Sequence, residues 1–219
     1  VREVRDADIV LYLSGFQPKV DDAISATAAN GFDVSTVVPL IGGGEEHVGT
    51  DPHFWLDPVL LSQFADAVAD QFSTLDPDHA AAYQANYTAL ADDLAALDVR
   101  YSDALTNCER DTILTSHEAF GYLSLRYGLT QVGLSGINPE AEPSPARIRE
   151  VRDLAISVGA TTVFVETLVD PSVVEAFAYD AGLEVATLDP IGGLVEDGDD
   201  YLIIMNRNLD VLTAGLDCG

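Results

Sequence analysis

Apolar positions along this chain follow two periods, and each change of period marks an element. Val1 to Asp8 reads as the last turns of a helix, and Ile9 to Leu13 is an apolar run of strand length. The loop Ser14-Gly15-Phe16-Gln17-Pro18 closes that strand. Val20 to Asn30 predicts a helix stopped by Asn30-Gly31, Val34 to Leu40 the next strand, and Val59 to Leu75 another helix. Asp76 then offers an N-cap with Pro77 at the first helical position. Beyond it Tyr83, Tyr87, Leu90, Leu94, Leu97, Tyr101 and Leu105 recur at steps of three and four. That stripe, free of glycine and proline, predicts one long helix, about 45 Å if it runs to Asn107.

The second half repeats strand then helix. Strands are predicted at Thr112–Thr115, Gln131–Leu134, Thr161–Val165 and Glu184–Leu188. Helices are predicted at Ala119–Tyr127, Pro145–Val158, Pro171–Ala181 and Tyr201–Leu216. Gly128 and Gly182 stop two of these helices, and Ser144 opens one. Strict alternation implies parallel sheets covered on both faces by helices. The expected fold is α/β: two parallel-sheet lobes, residues 1–76 and 108–219, joined by a backbone helix over residues 77–107. The first lobe opens inside a helix, without the opening strand such a sheet needs, so it reads as incomplete.

Charge changes the picture of partners. The chain has 219 residues, 47% of them hydrophobic, and a formal net charge of -27 from 37 acidic and 10 basic side chains. Such a surface repels nucleic acid and anionic lipid. Lys19 is the only lysine, and the acidic excess reads as adaptation to high salt, hence a haloarchaeal source, with an ordinary acidic protein as the other reading. No run of about 18 apolar residues could span a bilayer. Cys108 and Cys218 lie far apart and in no metal-binding spacing; one disulfide in an exported protein and two inert thiols are both open readings. Asn86-Tyr87-Thr88 matches the glycosylation sequon, weakly informative by itself.

Candidate chemistry collects at strand ends, where open α/β sheets bind ligands. His117, in Ser116-His117-Glu118, follows the strand ending at Thr115. Asp189 follows the strand ending at Leu188. His53 sits in Asp51-Pro52-His53-Phe54-Trp55-Leu56-Asp57-Pro58, after the strand expected at Val34 to Leu40. Two imidazoles and a carboxylate suit zinc, and manganese less well. Taken singly, His53 could merely cap or pack at a helix start, His117 could cap a helix, and Asp189 could form a turn before Pro190. Glu166, ending its strand, could hydrogen-bond a ligand imidazole. Glu140 and Glu142 read as loop charge or contacts beside the site, and His79 as a surface residue.

DPHFWLDP, SHEAFGYLSLRYGL, INPEAEPSPARI, FVETLVDP and LDPIGG, in this order, resemble the zinc-type substrate-binding proteins of metal ABC importers. The resemblance covers essentially the whole chain. It implies capture of a divalent metal ion, Zn2+ before Mn2+, in a cleft between the lobes, and delivery to an ABC permease. His53 and His117 match the family's second and third histidine ligands, and Asp189 its acidic ligand. The family's first histidine belongs to a segment before Val1, and its His-rich loop is reduced here to Glu45-Glu46-His47. The resemblance further implies a monomer exported to the outer face of the membrane and held there by a lipid anchor. A zinc hydrolase is the alternative, against which stand the lack of HExxH and of an evident general base. An adhesin built on the same fold is a third reading.

Overall fold

The computed structural model describes residues 2–42, 50–138, 141–167, 170–193 and 198–219. These divide into two compact units, one comprising the described residues up to Ala95 and the other Ala96–Gly219.

In the first unit a short helix α1 (Arg2–Asp6) leads into β1 (Val10–Tyr12), α2 (Pro18–Thr27) and β2 (Gly31–Asp33). The two strands pair in parallel, Val10 opposite Gly31 and Tyr12 opposite Asp33. The strand expected at Val34 to Leu40 is not formed: pairing ends at Asp33, and Val34–Thr36 is one 3-10 turn. The Asp33 carboxylate causes the change, since it accepts from the Ser35 N–H at 3.0 Å and bends the chain out of the sheet. Val34 and Val38 are both buried, a spacing of four that suits one face of a strand or of a helix and so does not decide between them. After a 3-10 turn at Phe54–Leu56 comes α3 (Pro58–Leu75), opened by Asp57, whose side chain accepts from the Val59 and Leu60 N–H groups. Phe54 and Phe64 meet edge to face at 5.5 Å and Phe32 stacks on Phe64 at 6.3 Å, which fastens α3 over β2.

The long helix starts later than its sequence suggests. Asp76 makes no cap; its carboxylate is taken instead by the His79 ring at 2.8 Å and the Tyr83 hydroxyl at 3.0 Å. Pro77–His79 is a 3-10 turn, and α4 then runs unbroken over Ala80–Leu105. The division between the two units falls inside this helix, at Ala95/Ala96. Its stripe is used unevenly: Leu94, Leu97, Tyr101 and Leu105 are buried, while Tyr83, Tyr87 and Leu90 line an apolar groove with Leu11, Phe64 and Phe72.

The second unit is a four-stranded parallel sheet, order β4-β3-β5-β6, made of β3 (Thr112–Thr115), β4 (Thr130–Gly133), β5 (Thr162–Glu166) and β6 (Glu184–Leu188). Its helices are α5 (Gly121–Tyr127), α6 (Pro145–Ser157), α7 (Ser172–Ala181) and α8 (Tyr201–Leu216). Every residue of β5 is buried, as a central strand covered on both faces must be. Val163 and Val165 pack with Val151, Val174 and Phe177 of α6 and α7. Phe164 points the other way, against Gly215 of α8, where an added Cβ would stand 2.6 Å from its ring. Glycine there permits the close approach of helix to sheet. A disulfide joins Cys108 to Cys218, so of the two readings of the cysteines the bonded one holds. It ties the start of this unit to its end, beside backbone hydrogen bonds from Glu109 to Asp217 at 3.1 Å and from Arg110 to Leu216 at 3.2 Å.

Candidate metal centre

The strand order sets where a ligand can sit in the second unit. From β3 the chain crosses to β4 on one side, then returns to β5 on the other, so the crossover reverses between β3 and β5. Parallel sheets open a crevice at such a reversal, at the carboxyl ends of the strands. His117 lies just past the end of β3, and Glu166 is the last residue of β5. Both are buried, at 4% and 2% relative exposure.

Glu166 grips the whole turn that carries the histidine. Its Oε1 accepts from the Ser116 hydroxyl at 2.7 Å and from the His117 backbone N–H at 3.0 Å. Its Oε2 meets Nδ1 of the His117 ring. The turn is held from the other side as well: Thr115 Oγ1 donates to the His117 carbonyl at 2.6 Å, and Gln131 Nε2 donates to the same carbonyl at 3.1 Å. A buried carboxylate tolerates its site only when its oxygens are matched by donors; here Oε1 is matched twice, while Oε2 faces the ring nitrogen without making a hydrogen bond. His117 caps no helix; the residue preceding α5 is Phe120.

Asp189 stands at the next strand end along the sheet, after Leu188 of β6. Asn208 of α8, itself buried, holds its main chain at two points: the Asp189 N–H donates to Asn208 Oδ1 at 2.9 Å, and Asn208 Nδ2 donates to the Asp189 carbonyl at 2.7 Å. The Asp189 side chain also forms the turn that its sequence context suggests, Oδ1 accepting from the Ile191 N–H at 2.7 Å. Ile191 has φ 55, a left-handed conformation uncommon for a β-branched residue.

In the first unit the same kind of grip recurs on His53. Asp51, 3% exposed, uses one oxygen twice: Oδ1 accepts from the His53 backbone N–H at 2.9 Å and contacts the ring Nδ1 at 2.7 Å. Trp55 lies edge-on to the imidazole with centroids 5.3 Å apart. His53 precedes the 3-10 turn but makes no side-chain cap, so the capping explanation of this residue fails too.

The remaining titratable candidates sit differently. His79 is exposed and bonded to Asp76; this bond first, then the one from Tyr83, holds the Asp76 carboxyl below its ordinary value. Glu142 is an exposed loop residue. Glu140 and the Glu45-Glu46-His47 stretch lie outside the described residues. Among the described residues, no three His, Cys, Asp or Glu side chains converge as a preformed metal cluster. What the two histidine sites offer zinc is donor chemistry: imidazoles whose rings are oriented by buried carboxylates, as metal-binding histidines usually are. Sequence reading missed Asp51, Ser116 and Asn208 as partners. The first carried a usable signal, an aspartate two residues before a histidine with proline between them, which favours a local side-chain turn. The other two carried none.

The family described as the periplasmic component A of the zinc-uptake complex matches residues 1–215. The zinc-binding lipoprotein AdcA of Streptococcus pneumoniae is 29% identical over 237 residues, covering 99% of this chain. The high-affinity zinc uptake system protein ZnuA of Bacillus subtilis is 28% identical over 236 residues, covering 99% of this chain and 74% of its own length. The chain spans only 47% of the length of AdcA. Among solved structures, the laminin-binding protein Lmb of Streptococcus agalactiae, described as bifunctional with adhesin and metal-transporting activity, aligns with a TM-score of 0.90 and 32% identity. That alignment covers 98% of this chain and 82% of Lmb. These relatives are bacterial, and they lend no support to the haloarchaeal source inferred from acidic composition.

Proposed function

The chain belongs to the family of the periplasmic zinc-uptake component A, and on that premise we propose that it captures Zn2+ outside the cytoplasm and hands it to an ABC permease. In this reading the metal is cargo. His53, His117 and Asp189 bind it, and zinc's fourth position goes to water or a further donor. The observation that carries the reading is the placement of His117 and Glu166 on the two sides of the crossover reversal, an imidazole already oriented at the crevice where this sheet type binds ligands. Thiolates take no part, since both cysteines are bonded to each other. Manganese, a harder ion, is served less well by two imidazoles. The family places the chain with exported binding proteins; lipid anchoring and a monomeric state are part of the proposal.

Titration calorimetry on metal-stripped protein tests the ligand set. His53→Ala and His117→Ala should each weaken zinc binding by more than about 100-fold, beyond the loss expected from an outer partner. Asp189→Ala should weaken it by a smaller factor, and His79→Ala should leave it unchanged. Wild-type affinity in either histidine variant would show that the ligands are drawn wrongly. A second reading, surface attachment, draws on the likeness to Lmb. Surface plasmon resonance over immobilised laminin, with and without zinc, tests it.

A further inference from the structure

Both candidate histidines are held in the same way by unrelated means, and the coincidence has a chemical consequence. His53 is gripped by a local aspartate two residues earlier; His117 is gripped by a glutamate 49 positions away, on the neighbouring strand. In each case one buried carboxylate takes the backbone N–H of the histidine and also meets its ring at Nδ1. Holding the backbone alone would suffice to shape a turn. The added ring contact does something a turn does not need.

We propose that Asp51 and Glu166 are positioning residues that hold His53 and His117 in the Nδ1–H tautomer before metal arrives, so that both rings direct the Nε2 lone pair to zinc. The inference rests on the reading of these histidines as ligands. Its chemistry is short. A carboxylate only accepts, so the ring nitrogen it meets must carry the hydrogen. A neutral imidazole with hydrogen on Nδ1 has its lone pair on Nε2, and the partner of one nitrogen decides which atom the metal receives. A neutral imidazole in water prefers the opposite tautomer, with hydrogen on Nε2. Each carboxylate therefore shifts an equilibrium that would otherwise have to be reversed at the moment of binding, and it fixes the ring plane as well.

His79 supplies an internal comparison. It too points Nδ1 at a carboxylate, Asp76, but His79 and Asp76 side chains are 69% and 44% exposed against 12% and 4% for His53 and Asp51. Water competes for an exposed pair, so its tautomer averages. Burial separates the two positioning pairs from this one.

The two carboxylates also make different predictions on amide substitution. Asp51 uses a single oxygen for both contacts, so the amide oxygen of Asp51→Asn can replace it. Glu166 takes two donors on Oε1 and sets Oε2 against the ring nitrogen, so Glu166→Gln must turn its NH2 either toward those donors or toward the ring and fail at one contact.

The test is long-range 1H–15N correlation on metal-free, 15N-histidine-labelled protein, with resonances assigned by single histidine substitutions, beside zinc titrations of the variants. The expected spectrum shows protonated Nδ1 and bare Nε2 for His53 and His117, and an averaged pattern for His79. Asp51→Ala and Glu166→Ala should each release the tautomer of the neighbouring ring and weaken zinc binding about 10–100-fold. Asp51→Asn should restore both, and Glu166→Gln should not. An Nε2–H or doubly protonated ring at either histidine in the wild-type protein overturns the proposal, even if an alanine variant fails to fold. So does an Asp51→Ala protein with unchanged tautomer and affinity. Failure of the ligand reading looks different: His53→Ala or His117→Ala would then bind zinc normally, whatever the tautomers of the metal-free protein.

Discussion

Single side chains here act mainly by satisfying one another inside the second unit. Asp98 of α4 receives Arg126 of α5 through two parallel bonds, Nε to Oδ1 at 2.9 Å and Nη2 to Oδ2 at 3.1 Å, and the Tyr127 hydroxyl at 3.1 Å. Arg126, ahead of Tyr127, holds the Asp98 carboxyl below its ordinary value. The sign of the pH effect follows from linkage. A carboxyl with a lower pKa in the folded state adds stability that is fully present above its unfolded value, about 3.9, and is lost as pH falls through the folded value. Asp98→Asn should therefore cost about 1 kcal/mol at neutral pH, since the pair is bidentate but partly exposed. In acid the gap to wild type should close. Urea midpoints of both proteins from neutral to acidic pH measure it; a gap independent of pH would mean that packing, not charge, joins α4 to α5. Tyr101 belongs to the same contact region. Its hydroxyl donates to the Met205 carbonyl at 2.6 Å, and burial pushes its pKa well above the ordinary value.

At the scale of elements, the second unit is closed as a ring of chain. The Cys108–Cys218 bond spans a sequence separation of 110 and lies where residues 107–110 pair with the last turn of the chain. Arg110 reinforces the junction, donating to the Gly159 carbonyl at 2.7 Å and pairing with the Asp217 carboxylate. A loop this long restricts the unfolded chain strongly, and the chain-entropy treatment gives about 4–5 kcal/mol. Replacing both cysteines by serine should lower the unfolding free energy by about that amount while leaving zinc affinity unchanged, because neither sulfur is a proposed ligand. Denaturant titration beside calorimetry checks both halves. A stability loss under about 1 kcal/mol would mean that the β3 end and the α8 end are held without the bond.

At the scale of the whole molecule, charge dominates. With 37 acidic side chains against 10 lysines and arginines, at least 27 carboxylates have no lysine or arginine of their own, whatever the local pairings. Their mutual repulsion acts across the surface at low ionic strength and is cut to a range of about 3 Å at 1 M salt. The thermal midpoint should rise as potassium chloride goes from millimolar to molar. A midpoint indifferent to salt would remove any halophilic reading, which composition alone supports. The bacterial relatives do not bear on this physics, only on the source.

Local contacts were legible without a structure. Ser144 caps its helix through an N–H three residues ahead, and Gly128 and Gly182 end helices at φ 70, because such bonds lie within one turn of chain. α8 begins and ends where its pattern does, at Tyr201–Leu216, and β6 matches its pattern at Glu184–Leu188, where it pairs with Thr162–Glu166 of β5. Val34 to Leu40 misled because an apolar run fits strand or helix equally, and a single carboxylate, Asp33, tipped it. His117 and Asp189 could be picked out as strand-end residues of metal-binding type, whereas His53 stands before a 3-10 turn, because the strand expected ahead of it is not formed. Which partners orient them could not be read so uniformly. Asp51 is close in sequence to His53, but Glu166 reaches His117 only because the crossovers set β5 beside β3, and Asn208 reaches Asp189 only because α8 folds back beside β6. Residues within a turn of each other are in contact in any chain that forms the turn. Residues 49 positions apart meet only once strand order is chosen, and that choice belongs to the packing of the sheet.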